Sequence, residues 1–81
     1  MNVHLKIVVS QWILVFKTNI LSRQDVDRLH SFLAGQAGIR RWNVDRHDRD
    51  HVLRIVTDRL QVRDVERIVQ AAGFYCKELP D

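Results

Sequence analysis

The chain has 81 residues, 46% hydrophobic and 28% charged, with 13 basic against 10 acidic residues for a net charge of +3. That length holds one domain, which buries roughly 60–65% of its unfolded surface and leaves little room for a deep pocket. Three Gly and one Pro exclude a linker-like chain, and basic residues interleaved with acids, as in Asp45-Arg46-His47-Asp48-Arg49-Asp50, argue against a nucleic-acid tract.

Residues 1–11 form an N-terminal extension whose alternation of Val3, Leu5, Ile7 and Val9 with His4, Lys6, Val8 and Ser10 is strand-like. An extra edge strand, an early start to the first strand and a mobile tail all remain open. Residues 12–18 are a dense β-branched and aromatic run, apolar on both alternating faces, which predicts a central strand. Residues 22–34 predict a helix with Val26, Leu29 and Leu33 on one stripe and His30 and Phe32 on its flanks. Ser22-Arg23-Gln24-Asp25 resembles a capping box at its start, and Gly35 and Gly38 supply the stop.

Residues 39–45 predict a strand with Trp42 and Val44 on one face. A charged turn follows, and residues 51–57 return as a second strand, making an antiparallel hairpin. Residues 62–72 predict a helix with Val62, Val65, Ile68, Val69 and Ala72 on its stripe, ended by Gly73 in a left-handed cap. Residues 74–79 make a last short strand. Neither helix can bury its stripe alone. Residues 12–81 therefore predict an α+β domain, a ferredoxin-like β-α-β-β-α-β sandwich with a four-stranded antiparallel sheet and both helices on one face. Internal duplication is expected in this repeated order of elements and not as residue identity.

The run Gly38-Ile39-Arg40-Arg41-Trp42-Asn43-Val44-Asp45 resembles the Gly-Val-x-x-Val-x-Val signature of heavy-metal-associated domains, the family of small copper chaperones and of copper-ATPase N-terminal modules. Gly73-Phe74 is similar to the family's Gly-Tyr before its last strand, and the resemblance covers residues 12–79. The family's metal motif, Met-x-Cys-x-x-Cys, would fall on Ile20-Leu21-Ser22-Arg23-Gln24-Asp25. Ser22 and Asp25 thus stand where the resemblance implies two thiolates. A soft Cu(I) ion selects thiolates over a hydroxyl and a carboxylate. The expectation is a helix cap in place of a copper loop, with no metal and no cofactor.

Cys76 is the one cysteine, so no internal disulfide forms and a reducing compartment fits. It reads as a small buried hydrophobe; the alternative is a metal carrier or sensor that uses Cys76 with His47 or His51. Those histidines bracket a turn beside Asp45, Asp48 and Asp50 and lack the fixed geometry of a helical pair. His30 reads as a boundary residue at the core edge. No nucleophile–base pairing and no Gly-rich phosphate loop is visible, so no enzyme is expected. The apolar stretches at residues 3–9 and 12–16 are shorter than the roughly 18 residues of a membrane span, and no cleavage pattern follows, so the expectation is a cytoplasmic protein without membrane contact.

Alternation leaves Ile13, Val15, Lys17, Val52, Arg54, Val56 and Tyr75 on the sheet face away from the helices, with Arg41, Asn43 and Lys77 beside them. An apolar middle with a basic rim marks an interaction surface. RNA is disfavoured, because the central strands offer Val and Ile where base stacking needs aromatics. The favoured function is a small non-catalytic binding or assembly module whose partner is a protein, with self-association as its simplest version. A domain sensing a small ligand is the remaining alternative.

Overall fold

A computed structural model of the chain describes residues 10–80. Apart from Ser10 and Gln11, the N-terminal extension lies outside the described residues. The elements run β1 (Trp12–Thr18), α1 (Arg23–Leu33), β2 (Ile39–Asp45), β3 (Val52–Thr57), α2 (Val62–Ala71) and β4 (Cys76–Glu78). The four strands form one antiparallel sheet in the order β2-β3-β1-β4, as the ferredoxin-like reading requires.

Alternation along the central pair divides the molecule. Leu14 pairs with Ile55 and Phe16 with Leu53, and these side chains turn toward the helices. Leu29 and Leu33 from α1 and Val65 and Val69 from α2 meet them, and Phe16, Leu53, Ile55, Leu29, Val65 and Val69 are fully buried. Ile13 pairs with Val56 and Val15 with Arg54 on the opposite face.

β2 carries a bulge. Ile39 pairs with Thr57 and Arg41 with Val56, so Arg40 is an inserted residue. The insertion lets Ile39 and Trp42, an odd number of positions apart, both pack on the core. It also sends the Arg40 guanidinium to Asp58, which accepts from Nε at 3.0 Å and from Nη2. Arg59 Nε joins the same carboxyl at 3.3 Å. Only 7% of the Asp58 side chain is exposed, and the Arg40 hydrogen bond holds its pKa below the ordinary carboxylate range, with Arg59 adding to the effect.

Three boundaries differ from the sequence reading. β4 starts at Cys76 and not at residue 74, because Phe74 belongs to the end of α2. There Gly73 (φ +97°) donates its N–H to the Gln70 carbonyl at 2.9 Å and Phe74 donates to Val69 at 3.2 Å, a complete Schellman motif. Tyr75 then donates its N–H to the Asn19 Oδ1 at 2.8 Å instead of joining the ladder. β3 starts at Val52, because His51 takes a left-handed backbone at φ 45°. Gly35 is not the left-handed stop of α1; Gly38 (φ +98°) is the left-handed residue, and it leads into β2.

Residue identity does repeat between the two halves, contrary to expectation. At one constant separation, Leu14 matches Leu53, Thr18 matches Thr57, Leu21 matches Leu60, Asp25 matches Asp64, Val26 matches Val65 and Arg28 matches Arg67. Several of the matches share a structural duty. Leu14 packs on the core and Leu53 in it, the two threonines close strands, and the two aspartates cap helices.

A methyl group on Gly38 would lie 2.5 Å from the Arg59 Cγ, in a backbone conformation that disfavours L side chains. Gly38→Ala is expected to lower the unfolding free energy by about 1–2 kcal/mol, read as a drop in the urea midpoint. Gly35 faces open space, and Gly35→Ala is expected to be neutral or to stabilise by up to about 1 kcal/mol.

Candidate functional site

The β1–α1 junction comes first, because the family resemblance places its metal motif there. Thr18 closes β1 by donating its hydroxyl to the His51 carbonyl at 2.6 Å and accepting the Ile20 N–H at 3.2 Å. Ile20, at the position of the family's Met, is fully buried and pins the loop to the core. Ser22 has the extended backbone of an N-cap, and its Oγ accepts the Asp25 N–H at 3.1 Å. The Asp25 carboxylate reaches back to accept the N–H of Ser22 at 3.1 Å and of Leu21 at 3.0 Å. These backbone hydrogen bonds hold the Asp25 pKa below the ordinary carboxylate range, that of Leu21 most strongly. The pair is therefore a reciprocal capping box made of hard oxygen donors already occupied by backbone groups.

Cys76 is 4% exposed and faces the core opposite Thr18. Burial pushes its thiol up to about 12, and the nearby Glu66 carboxylate acts in the same direction. His51 sits at the hairpin end beside β3, and β1 runs between β3 and β4, so the sheet keeps Cys76 and His51 two strands apart. Asp45 and Asp48 of the hairpin are occupied by its own backbone. Asp45 Oδ1 accepts the N–H of His47 at 3.1 Å and of Asp48 at 3.2 Å, and Asp48 Oδ1 accepts that of Asp50 at 2.8 Å. The His51 Nδ1 is buried without a hydrogen-bond partner. Among the described residues no three His, Cys, Asp or Glu side chains converge to hold a metal. His30 is exposed and leans on Trp42 with ring centroids 6.2 Å apart.

The helix-free face of the sheet is the second candidate. Ile13 is 60% exposed, Val15 and Val56 are half-buried, and Lys17, Arg54 and Tyr75 are exposed. Val52 shares the face by register, opposite Asp45, but at 5% exposure it offers almost no contact area. Lys17 bridges to Asp50 at 3.7 Å. A shallow groove crosses β1, β3 and β2, lined by Ile13, Val56, Arg54, Arg40, Arg41, Trp42 and Asn43. The role of Arg40 escaped the sequence reading. The available signal was the odd spacing of Ile39 and Trp42, which strict alternation forbids if both are to be buried.

No family model matches the sequence, and no curated protein matches it. Solved structures do match. The apo heavy-metal-associated domain of a copper chaperone for superoxide dismutase has 20% identity over 88% of this chain and 69% of that one, with a TM-score of 0.74. The copper(I)-loaded first domain of the human copper chaperone for SOD1 has 19% identity over 85% of this chain and 93% of that one, with a TM-score of 0.72. Oxidized MerP from Ralstonia metallidurans CH34 has 8% identity over 88% of this chain and all of that one, with a TM-score of 0.74. At these identities the likeness establishes a shared heavy-metal-associated-like fold. Among the described residues no helix is long and apolar enough to cross a membrane.

Ser22→Ala removes the cap acceptor and is expected to cost about 1 kcal/mol in chemical denaturation. Asp25 has a lowered folded pKa, so its contribution is complete above the ordinary carboxylate range and is lost as pH falls through the folded value. Asp25→Asn should flatten the acid limb of the stability profile. Cys76 has the opposite sign. Its raised pKa favours the neutral folded form, so stability should fall as pH rises from about 9 toward about 12. At neutral pH the folded protein should resist a thiol reagent that labels it at once in guanidinium.

Proposed function

We propose that this chain is a non-catalytic binding module on a heavy-metal-associated-like scaffold that has lost family-type copper binding, and that a protein meets it on the open sheet face. The observation that carries the first half is the capping box. Ser22 and Asp25 hold backbone N–H groups at the two positions where the resemblance implies thiolates. A hydroxyl and a carboxylate do not fit Cu(I), which needs two soft, charged sulfur donors. A carrier relying on Cys76 would have to take a proton from a buried thiol and draw His47 or His51 across the sheet, so those ligands give the metal alternative little support.

The second half rests on the apolar middle of the open face. Ile13, Val15 and Val56 remain in part accessible although no helix covers them. Such a patch with polar surroundings is an interaction surface in most soluble domains. A free, buried thiol suits a reducing, cytoplasmic setting.

Competition against a chromogenic Cu(I) chelator tests the metal half. The chain should leave the copper with the chelator. The double variant Ser22→Cys/Asp25→Cys, whose positions already face each other across the first helical turn, should withdraw one equivalent. Stoichiometric copper retained by the unaltered chain, and lost on Ser22→Ala, would overturn the reading. Light scattering at high concentration tests the simplest partner: a dimer broken by Val15→Asp identifies a second copy, and a monomer removes self-association.

A further inference from the structure

We propose that the groove on the open sheet face binds an acidic, carboxylate-bearing segment of a protein partner, with Arg41 and Arg54 as its anchors. The proposal rests on the reading of that face as the binding surface and adds the chemistry of what binds. In the β2–β3 register Arg41 lies opposite Val56 and Arg54 lies opposite Asn43, so the two arginines are diagonal neighbours on adjacent strands. Diagonal neighbours sit about 7–8 Å apart, close enough for one short acidic segment to reach both. Among the described residues neither arginine makes an ion pair or a side-chain hydrogen bond. Arg40 at the boundary differs, because it is held by Asp58. The groove thus has a fixed wall and two free guanidinium groups on its floor.

The chemistry of the floor selects its occupant. Guanidinium groups only donate hydrogen bonds, and their planar fork matches a carboxylate in two-point contact. The apolar neighbours Ile13 and Val56 exclude water and strengthen that pairing. Lys77, opposite Lys17 across β1 and β4, adds positive charge along the same face, while Lys17 itself is held by Asp50. A second copy docked face to face would set these cations against their own images, which is repulsive. Residues 1–9 contain Lys6 and no acid, so they lack the complementary charge. Nucleic-acid phosphates would match the charge, but Trp42 packs on the core, Tyr75 stands beside the edge strand β4, and the central strands present Ile13, Val15 and Val56, which give bases nothing to stack on. An acidic peptide satisfies both parts of the surface, carboxylates on the arginines and aliphatic side chains on Ile13 and Val56.

Fluorescence anisotropy with the full chain tests this. The probe is a labelled decapeptide of alternating Glu and Val at low ionic strength. Controls are the same peptide with Gln for Glu and a single-stranded RNA decamer. The Glu peptide should bind and the Gln peptide should not, and added salt should weaken the binding. Arg41→Gln and Arg54→Gln should each weaken it about tenfold, with an unchanged circular dichroism spectrum. Arg63→Gln, on the outward side of α2, should leave it unchanged. No binding of the Glu peptide overturns the proposal. So does equal binding of the Gln peptide, tighter binding of the RNA, or an Arg63→Gln effect as large as that of Arg54→Gln. Loss on Val15→Asp without loss on either arginine change would sink the acidic-segment proposal and leave the face itself as the binding surface.

Discussion

The register between β1 and β3 is the constraint on which the rest of the molecule depends. With Phe16 opposite Leu53 and Leu14 opposite Ile55, the large apolar side chains of both central strands turn to the helices. A slip of one residue would place Arg54 on the same face as Phe16, so that either Arg54 lies beneath α1 and α2 or Phe16 is exposed to water. Burying an unpaired guanidinium costs far more than any edge contact recovers, so a single register survives. β2 and β4 hang on either side of this pair, and the core and the open face are both assigned by it.

The two halves solve the same problem in the same way. Each central strand ends in a threonine whose hydroxyl turns the chain: Thr18 accepts the Ile20 N–H, and Thr57 accepts those of Arg59 and Leu60. Each following helix is capped by an aspartate that reaches back to the N-cap residue, Asp25 to Ser22 and Asp64 to Gln61. The halves differ in what closes the junction from outside. The second is sealed by the Trp12 indole, which donates to the Leu60 carbonyl at 3.0 Å. At the first, the hairpin residue His51 supplies the carbonyl that Thr18 binds. The β1–α1 and β3–α2 junctions are therefore built alike, each from a strand-closing threonine and a capping aspartate.

Polarity is sorted by face. The single thiol lies neutral in the core, Asp45 and Asp48 are tied to their own turn, Asp50 bridges to Lys17, and Asp58 balances the arginines at the edge of β2. Among the described residues Arg41 and Arg54, on the open face, make no ion pair.

The order of elements, the helix stripes and the cap at Ser22 and Asp25 were legible in the chain itself, because period, capping and turn chemistry are local. Alternation also placed Ile13, Val15, Arg54 and Val56 on the open face. The Arg40 bulge was not read, since the odd spacing of Ile39 and Trp42 signals it only once both are known to face the core. The late start of β4 depended on Asn19, distant in sequence, taking the N–H of Tyr75. Val52 was assigned to the correct face, yet its burial depends on neighbours that period two does not describe. The sequence by itself thus determined which segments fold and which side of each is apolar. Only the tertiary structure decided which charges meet, since pairing between Arg40 and Asp58, and the absence of such a partner for Arg41 and Arg54 among the described residues, arises from strands brought together across the sheet.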